Sequence, residues 1–176
     1  MNSDGTQIDC ETRWLSVVET TTTINYKGNS MERISEKVED EFWDKIDDEY
    51  LFAPHYTGEK YRWINLPEPH KKYSLGSLWT DAQEMLVNSF FAELTENLIA
   101  LDWQHECFKF SPSEKSAFAE TLPTYYPDGD YHFFIDEKWC FGLFGHPWLG
   151  EIIVLGSDLI QKFDENLSEL NITVID

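Results

Sequence analysis

The residues best suited to chemistry in this chain are Asp102 and His105, with Trp103 and Gln104 between them. A carboxylate beside an imidazole is the working unit of general acid–base catalysis and of imidazole ligation. The run ALDWQHECFKF (100–110) reads as one strand by its alternation. On a strand, Leu101, Trp103, His105 and Cys107 share one face, and Asp102, Gln104 and Glu106 share the other. Asp102 and His105 then pair only across a bulge. A partner for His105 has to come from Asp130, Asp136 or Glu151. The more ordinary role for such a histidine is a buried, hydrogen-bonded position beside a core Trp.

A second group is Phe144–Gly145–His146–Pro147–Trp148. Gly145 can take positive φ and Pro147 fixes a turn, so His146 is expected on a β-turn near His132 and Cys140. A Cys–His nucleophile is conceivable there, but nothing supplies a third group or an oxyanion hole. Trp148 is expected to close the end of the core. Pro127–Asp128–Gly129–Asp130 has the composition of a calcium loop without its spacing or terminal Glu, and reads as a hairpin turn. No phosphate loop, HExxH, GxSxG or dinucleotide fingerprint is present. No cofactor and no metal site are expected.

These residues need elements to hold them. The β-branched stretch 14–26 reads as a strand, broken at Gly28, Asn29 and Ser30. A helix is predicted from Met31 to Leu51, because Ile34, Val38, Phe42 and Ile46 recur every four residues. Asn29 or Ser30 would cap it. The opposite face carries Glu36, Glu39, Asp40, Asp44, Asp47 and Asp48. Strand 61–66 and a Pro-rich loop 66–73, holding Lys71 and Lys72, follow. A second helix is predicted from near Trp79 to Asn97, capped by Thr80 or Asp81, with Met85, Leu86, Phe90, Leu94 and Leu98 inward. Segments 131–136 and 139–145 read as a hairpin, and 150–156 as a further strand. Ser157 or Asp158 caps a last helix burying Leu159, Ile160, Phe163, Leu167 and Leu170. The fold expected is α+β: an antiparallel sheet of about four or five strands, covered on one face by about three helices. It forms one domain over residues 1–176, with 1–12 frayed.

The segments LDWQH (101–105), PDGDYHFFI (127–135) and FGLFGHPW (141–148) resemble hallmarks of DUF2716, a bacterial family of unknown function. The likeness covers roughly the C-terminal 75 residues, with Leu143 a departure where a smaller or β-branched residue is expected. The resemblance implies a compact bacterial cytosolic protein and no particular reaction. Small acidic families of this kind resemble immunity proteins by analogy.

Composition sets the remaining limits. The chain has 176 residues, 33 Asp plus Glu and 13 Lys plus Arg, a formal net charge of −20. Such a field disfavours nucleic acid and anionic membrane and favours basic proteins. From Tyr73 to Phe108 there is neither Lys nor Arg. The three cysteines lack any zinc or CxxC spacing and are expected to be reduced, as in a cytoplasm. The N-terminus has no secretory pattern, and no stretch approaches a membrane span. The expected function is that of a cytosolic, immunity-type inhibitor that neutralises a basic toxin such as a nuclease. Glu36, Glu39, Asp40, Asp44, Asp47 and Asp48 would meet that partner. Two alternatives stand beside it: an enzyme using His105, His132 and His146, and an acidic mimic of nucleic acid.

Overall fold

The computed structural model describes residues 20–50 and 66–175. The strand expected at 61–66 (apart from Leu66), the first part of the strand at 14–26 and the frayed residues 1–12 lie outside them. In chain order the elements are β1 (Thr20–Tyr26), β2 (Asn29–Ile34), α1 (Glu36–Tyr50), β3 (His70–Leu75), α2 (Asp81–Leu94), β4 (Leu98–Asp102) and β5 (Phe108–Phe110). A 3-10 segment (Pro112–Phe118), β6 (His132–Asp136), β7 (Gly142–His146), β8 (Glu151–Leu155), α3 (Ser157–Glu165), α4 (Leu167–Leu170) and β9 (Ile172–Ile175) complete them. All described strands join one antiparallel sheet in the order β1-β2-β5-β4-β6-β7-β8-β3-β9.

The class is α+β with an antiparallel sheet, as expected, but among the described residues it has nine strands rather than four or five and more helical segments than three. The helices also cover both faces, not one. Side chains alternate along each central strand, so successive residues enter different cores. Leu98 and Ala100 of β4, Phe134 of β6, Leu143 of β7 and Ile152 and Val154 of β8 pack with Val87, Phe90 and Phe91 of α2 and Leu159 and Phe163 of α3. Ile99 and Leu101, Phe133 and Ile135, Phe144, and Ile153 and Leu155 pack instead with Val38, Phe42 and Ile46 of α1. Double coverage explains why β6, β7 and β8 are apolar almost throughout.

Several boundaries move for local reasons. Lys27 and Gly28 both have positive φ (49° and 88°). That pair makes the mirror-image tight turn that joins strands, so residues 29–34 return as β2 instead of starting a helix. Ser35 rather than Asn29 or Ser30 then accepts the Val38 N–H, at 3.3 Å. The apolar stripe Ile34–Val38–Phe42–Ile46 is buried as predicted, although Ile34 is the last residue of a strand. Lys71 and Lys72 lie in β3, not in a loop. The second helix begins at Asp81 behind a Thr80–Gln83 capping box and stops at Leu94, and Met85 on its outer side is 70% exposed. β9 was not anticipated. Cys107 is a free, buried thiol, whereas Cys140 is disulfide-bonded, so the expectation of reduced thiols fails at Cys140.

Two positions of the 144–148 segment depart from expectation in instructive ways. Gly145 needs no positive φ. A Cβ there would fall 2.7 Å from Cβ of Pro127, so close approach of the 119–131 loop demands the glycine. His146 is not on a turn. It ends β7, 3% exposed, with its ring edge-on to Tyr131 at 5.1 Å between centroids. Its Nδ1 accepts the Leu149 N–H at 3.4 Å, which requires that nitrogen to be unprotonated. Burial lowers its pKa to about 4.

Gly145→Ala should cost about 1–3 kcal/mol, since the loop or the strand must shift to admit one methyl group. Urea unfolding midpoints at constant slope measure it. His146 gives a pH signature. Its folded pKa lies below its unfolded value, so the stability it contributes is complete above about pH 6.5 and is lost as pH falls towards about 4. The wild type should therefore lose on the order of 2 kcal/mol more than His146→Gln between pH 7 and pH 4.5, read from paired urea titrations.

Candidate functional site

The run expected to be one strand is two. β4 ends at Asp102, and Trp103 and Gln104 form a turn in which Gln104 has φ 70°. The turn brings the chain back on itself, and the His105 N–H donates to the Asp102 carbonyl at 3.1 Å. His105 Nδ1 thereby reaches Asp102 Oδ1 at 3.2 Å. The Asp–His pair that a continuous strand forbids is formed by reversing the strand. The signal in the sequence is the polar sequence Asp-Trp-Gln-His-Glu itself, which is too polar for a central strand buried on both faces.

Three further groups gather at this end of the sheet. Asp130, the last residue of the Pro127–Asp130 segment, places Oδ2 3.8 Å from His105 Nδ1. That segment closes the long loop before β6 and does not link two strands, so it is not the hairpin turn expected. Asp130 Oδ1 accepts the Tyr131 N–H at 2.8 Å, which fixes the carboxylate. His132 stands directly opposite Asp102 in the β4–β6 register, and its Nε2 is 3.8 Å from Asp102 Oδ1. His132 Nδ1 lies 3.0 Å from the Thr124 carbonyl. A carbonyl only accepts, so Nδ1 carries the proton. Glu84 of α2 holds the same loop by accepting the N–H groups of Tyr125 and Tyr126 at 2.9 and 2.8 Å. Neither Thr124 nor Glu84 was legible as part of the site, because their roles depend on the path of a loop.

The electrostatics follow from this crowding. Burial raises the Asp102 carboxyl, with His132 and His105 acting in the opposite direction. The Asp102 carboxylate raises His105. Of the partners considered for His105, Asp130 meets it. Asp136 lies at the far end of β6, where it accepts the N–H groups of Lys138, Cys140 and Phe141. Glu151 is opposite His146 in the β7–β8 register. The three histidines do not converge. His132 shares its sheet face with Phe134 and the α2 core, while His146 shares its face with Phe144 and the α1 core. Trp148 does not close the core either: it is 66% exposed, next to Leu149 at 47%.

The acidic face of α1 begins beside this site. Ile34, just before the helix, donates its N–H to the Cys107 carbonyl at 3.1 Å. Glu36, Asp40, Asp44 and Asp48 are exposed and stand one turn apart, with Asp47 exposed alongside. Glu39 is different: it is half-buried near Cys107, and burial raises its carboxyl. Lys37 reaches Glu41 at 3.7 Å, and Lys45 lies 4.9 Å over the Trp139 ring, which itself stacks on Phe42. The last turn of α1 has no basic residue.

Most other cations among the described residues are tied down within the fold. Arg33 pairs with Glu106 at 2.9 Å, Lys71 with Asp164 at 2.7 Å, Lys109 with Glu137 at 2.8 Å, and Lys162 with Glu93. Lys115 donates to the Pro123 carbonyl at 2.9 Å, and its burial lowers its pKa.

Comparison with known proteins agrees with the motifs. The chain is 26% identical over 151 residues to "Uncharacterized protein YxiI" of Bacillus subtilis (strain 168), an alignment covering 76% of this chain and 91% of that protein. No solved structure matches it. No described helix is long and apolar enough to cross a membrane. The model of the family DUF2716, "Protein of unknown function", matches residues 33–160, from β2 into α3 and therefore across the whole Asp102–His105–Asp130–His132 site; the chain belongs to that family.

Proposed function

We propose that this protein is a binding protein whose acidic surface, centred on α1, covers a basic protein, and that the partner is a toxin such as a nuclease neutralised in the manner of an immunity protein. The observation that carries the reading is the charge arrangement of α1. Glu36, Asp40, Asp44 and Asp48 line one exposed row, Asp47 lies beside them, and the helix ends without a cation. Carboxylates at a helix C-terminus oppose the helix dipole, and like charges one turn apart repel, each at a cost of a few tenths of a kcal/mol. A cationic partner removes both penalties on binding, so part of its affinity is supplied by relief of strain already present in the free protein. Arg33, Lys71, Lys109 and Lys162 are each paired with a carboxylate elsewhere in the fold. The exposed Trp148 and Leu149 offer apolar anchors at the sheet end.

The test is to search the genes beside this one for a toxin domain and to co-express the two. Rescue of growth and a 1:1 complex are expected. Asp40→Lys combined with Asp44→Lys and Asp48→Lys should weaken that complex about 100-fold at low salt, at about 1 kcal/mol per reversed charge, with a much smaller difference at high salt. Thermal stability should stay level or rise, since repulsion is relieved. Unchanged affinity would remove α1 from the interface, and failure to rescue would remove the function.

A further inference from the structure

We propose that Asp102, His105 and Asp130 bind a divalent transition-metal ion such as Zn2+, at a place where the buried His132 adjoins Asp102. One donor atom from each of the first three lies within 4.8 Å of the others. His105 Nδ1 is 3.2 Å from Asp102 Oδ1 and 3.8 Å from Asp130 Oδ2. Donors around a tetrahedral Zn2+, at metal distances of about 2.0–2.2 Å, stand roughly 3.3–3.5 Å apart. The two spacings from His105 bracket that value, and the two carboxylate oxygens lie within 4.8 Å of each other.

The independent observation is His132, which is 6% exposed. Its Nδ1–H is committed to the Thr124 carbonyl, and its Nε2 lies 3.8 Å from Asp102 Oδ1. With a proton on Nε2 this contact is an ion pair, and a metal ion between the two atoms would take that proton's place. An imidazole that donates one N–H to a backbone carbonyl and presents its other nitrogen to a carboxylate-lined space has the orientation used by metal-ligating histidines. Asp130 is similarly held, through the Tyr131 N–H on its other oxygen. The mixed nitrogen and oxygen donor set suits Zn2+ and its neighbours better than Ca2+ or Mg2+, which favour oxygen throughout. Exposure of His105 leaves an approach from solvent. This inference concerns the sheet end alone and stands whether or not α1 binds a basic partner.

The experiment is calorimetric titration of the EDTA-treated full chain with Zn2+, with Mg2+ as the contrasting ion. One Zn2+ per chain is expected, with no comparable binding of Mg2+. His105→Gln and Asp130→Asn should each lower Zn2+ affinity at least tenfold. His70→Gln, outside the cluster, should lower it less than threefold. Circular dichroism of each variant checks that the fold is kept, which the exposed position of His105 favours. Absence of Zn2+ binding to the wild type, Mg2+ binding of equal strength, or a loss under tenfold in folded His105→Gln would overturn the proposal.

Discussion

The whole arrangement depends on one constraint: the sheet is covered on both faces, so each central strand has to satisfy two cores at once. A strand in that position cannot alternate apolar with polar. It must be apolar in both directions, and every polar residue has to sit where the strand ends. Asp102, His132 and His146 obey this rule, each lying at a strand terminus and at the same end of the sheet. Asp136 obeys it at the other end, where its buried carboxylate is satisfied by three backbone N–H groups. The site is therefore a product of where the strands stop. It exists because the sheet can place charged groups only beyond its apolar centre.

The same constraint decides what could be read in the sequence. The α1 stripe was legible because its buried side chains recur with helical spacing and face a single core. The hairpin of β6 and β7 was legible because two apolar runs flank a short polar turn. The segment 100–110 misled because a period-two pattern was imposed on it. Leu98 to Leu101 are all buried, which alternation does not describe, and the polar residues after them mark a turn. β2 and β3 were hidden for another reason. Both lie towards the borders of the sheet and carry charged residues such as Glu32, Arg33, Lys71 and Lys72. Their pairing, rather than their composition, makes them strands. Of the site, His105, His132 and the idea of an Asp130 contact were accessible from residue types. The Asp102–His105 pair, the Thr124 carbonyl and the Glu84 contact were not, since each requires knowing where the chain reverses.

Charge in this protein has two distinct distributions. Within the fold, four cations are each matched to a carboxylate distant in sequence, as in Lys71 with Asp164 and Lys109 with Glu137. Such partly exposed pairs are each worth little to stability, but they fix where the positive charge sits. The surplus of carboxylates is left on surfaces such as α1. The exposed row on α1 holds part of the surplus behind the net charge of −20. Glu39 illustrates the boundary between the two: it sits on the acidic helix in sequence yet turns inward to Cys107.

The Glu84 contact has a wider consequence. One carboxylate on α2 holds two consecutive backbone amides of the loop that carries both Thr124 and Asp130. The helix and this stretch of the loop are therefore tied at two points, and Thr124, next to them, holds the ring of His132. The placement of that imidazole thus depends in part on where α2 packs, although α2 does not touch it through this chain of contacts.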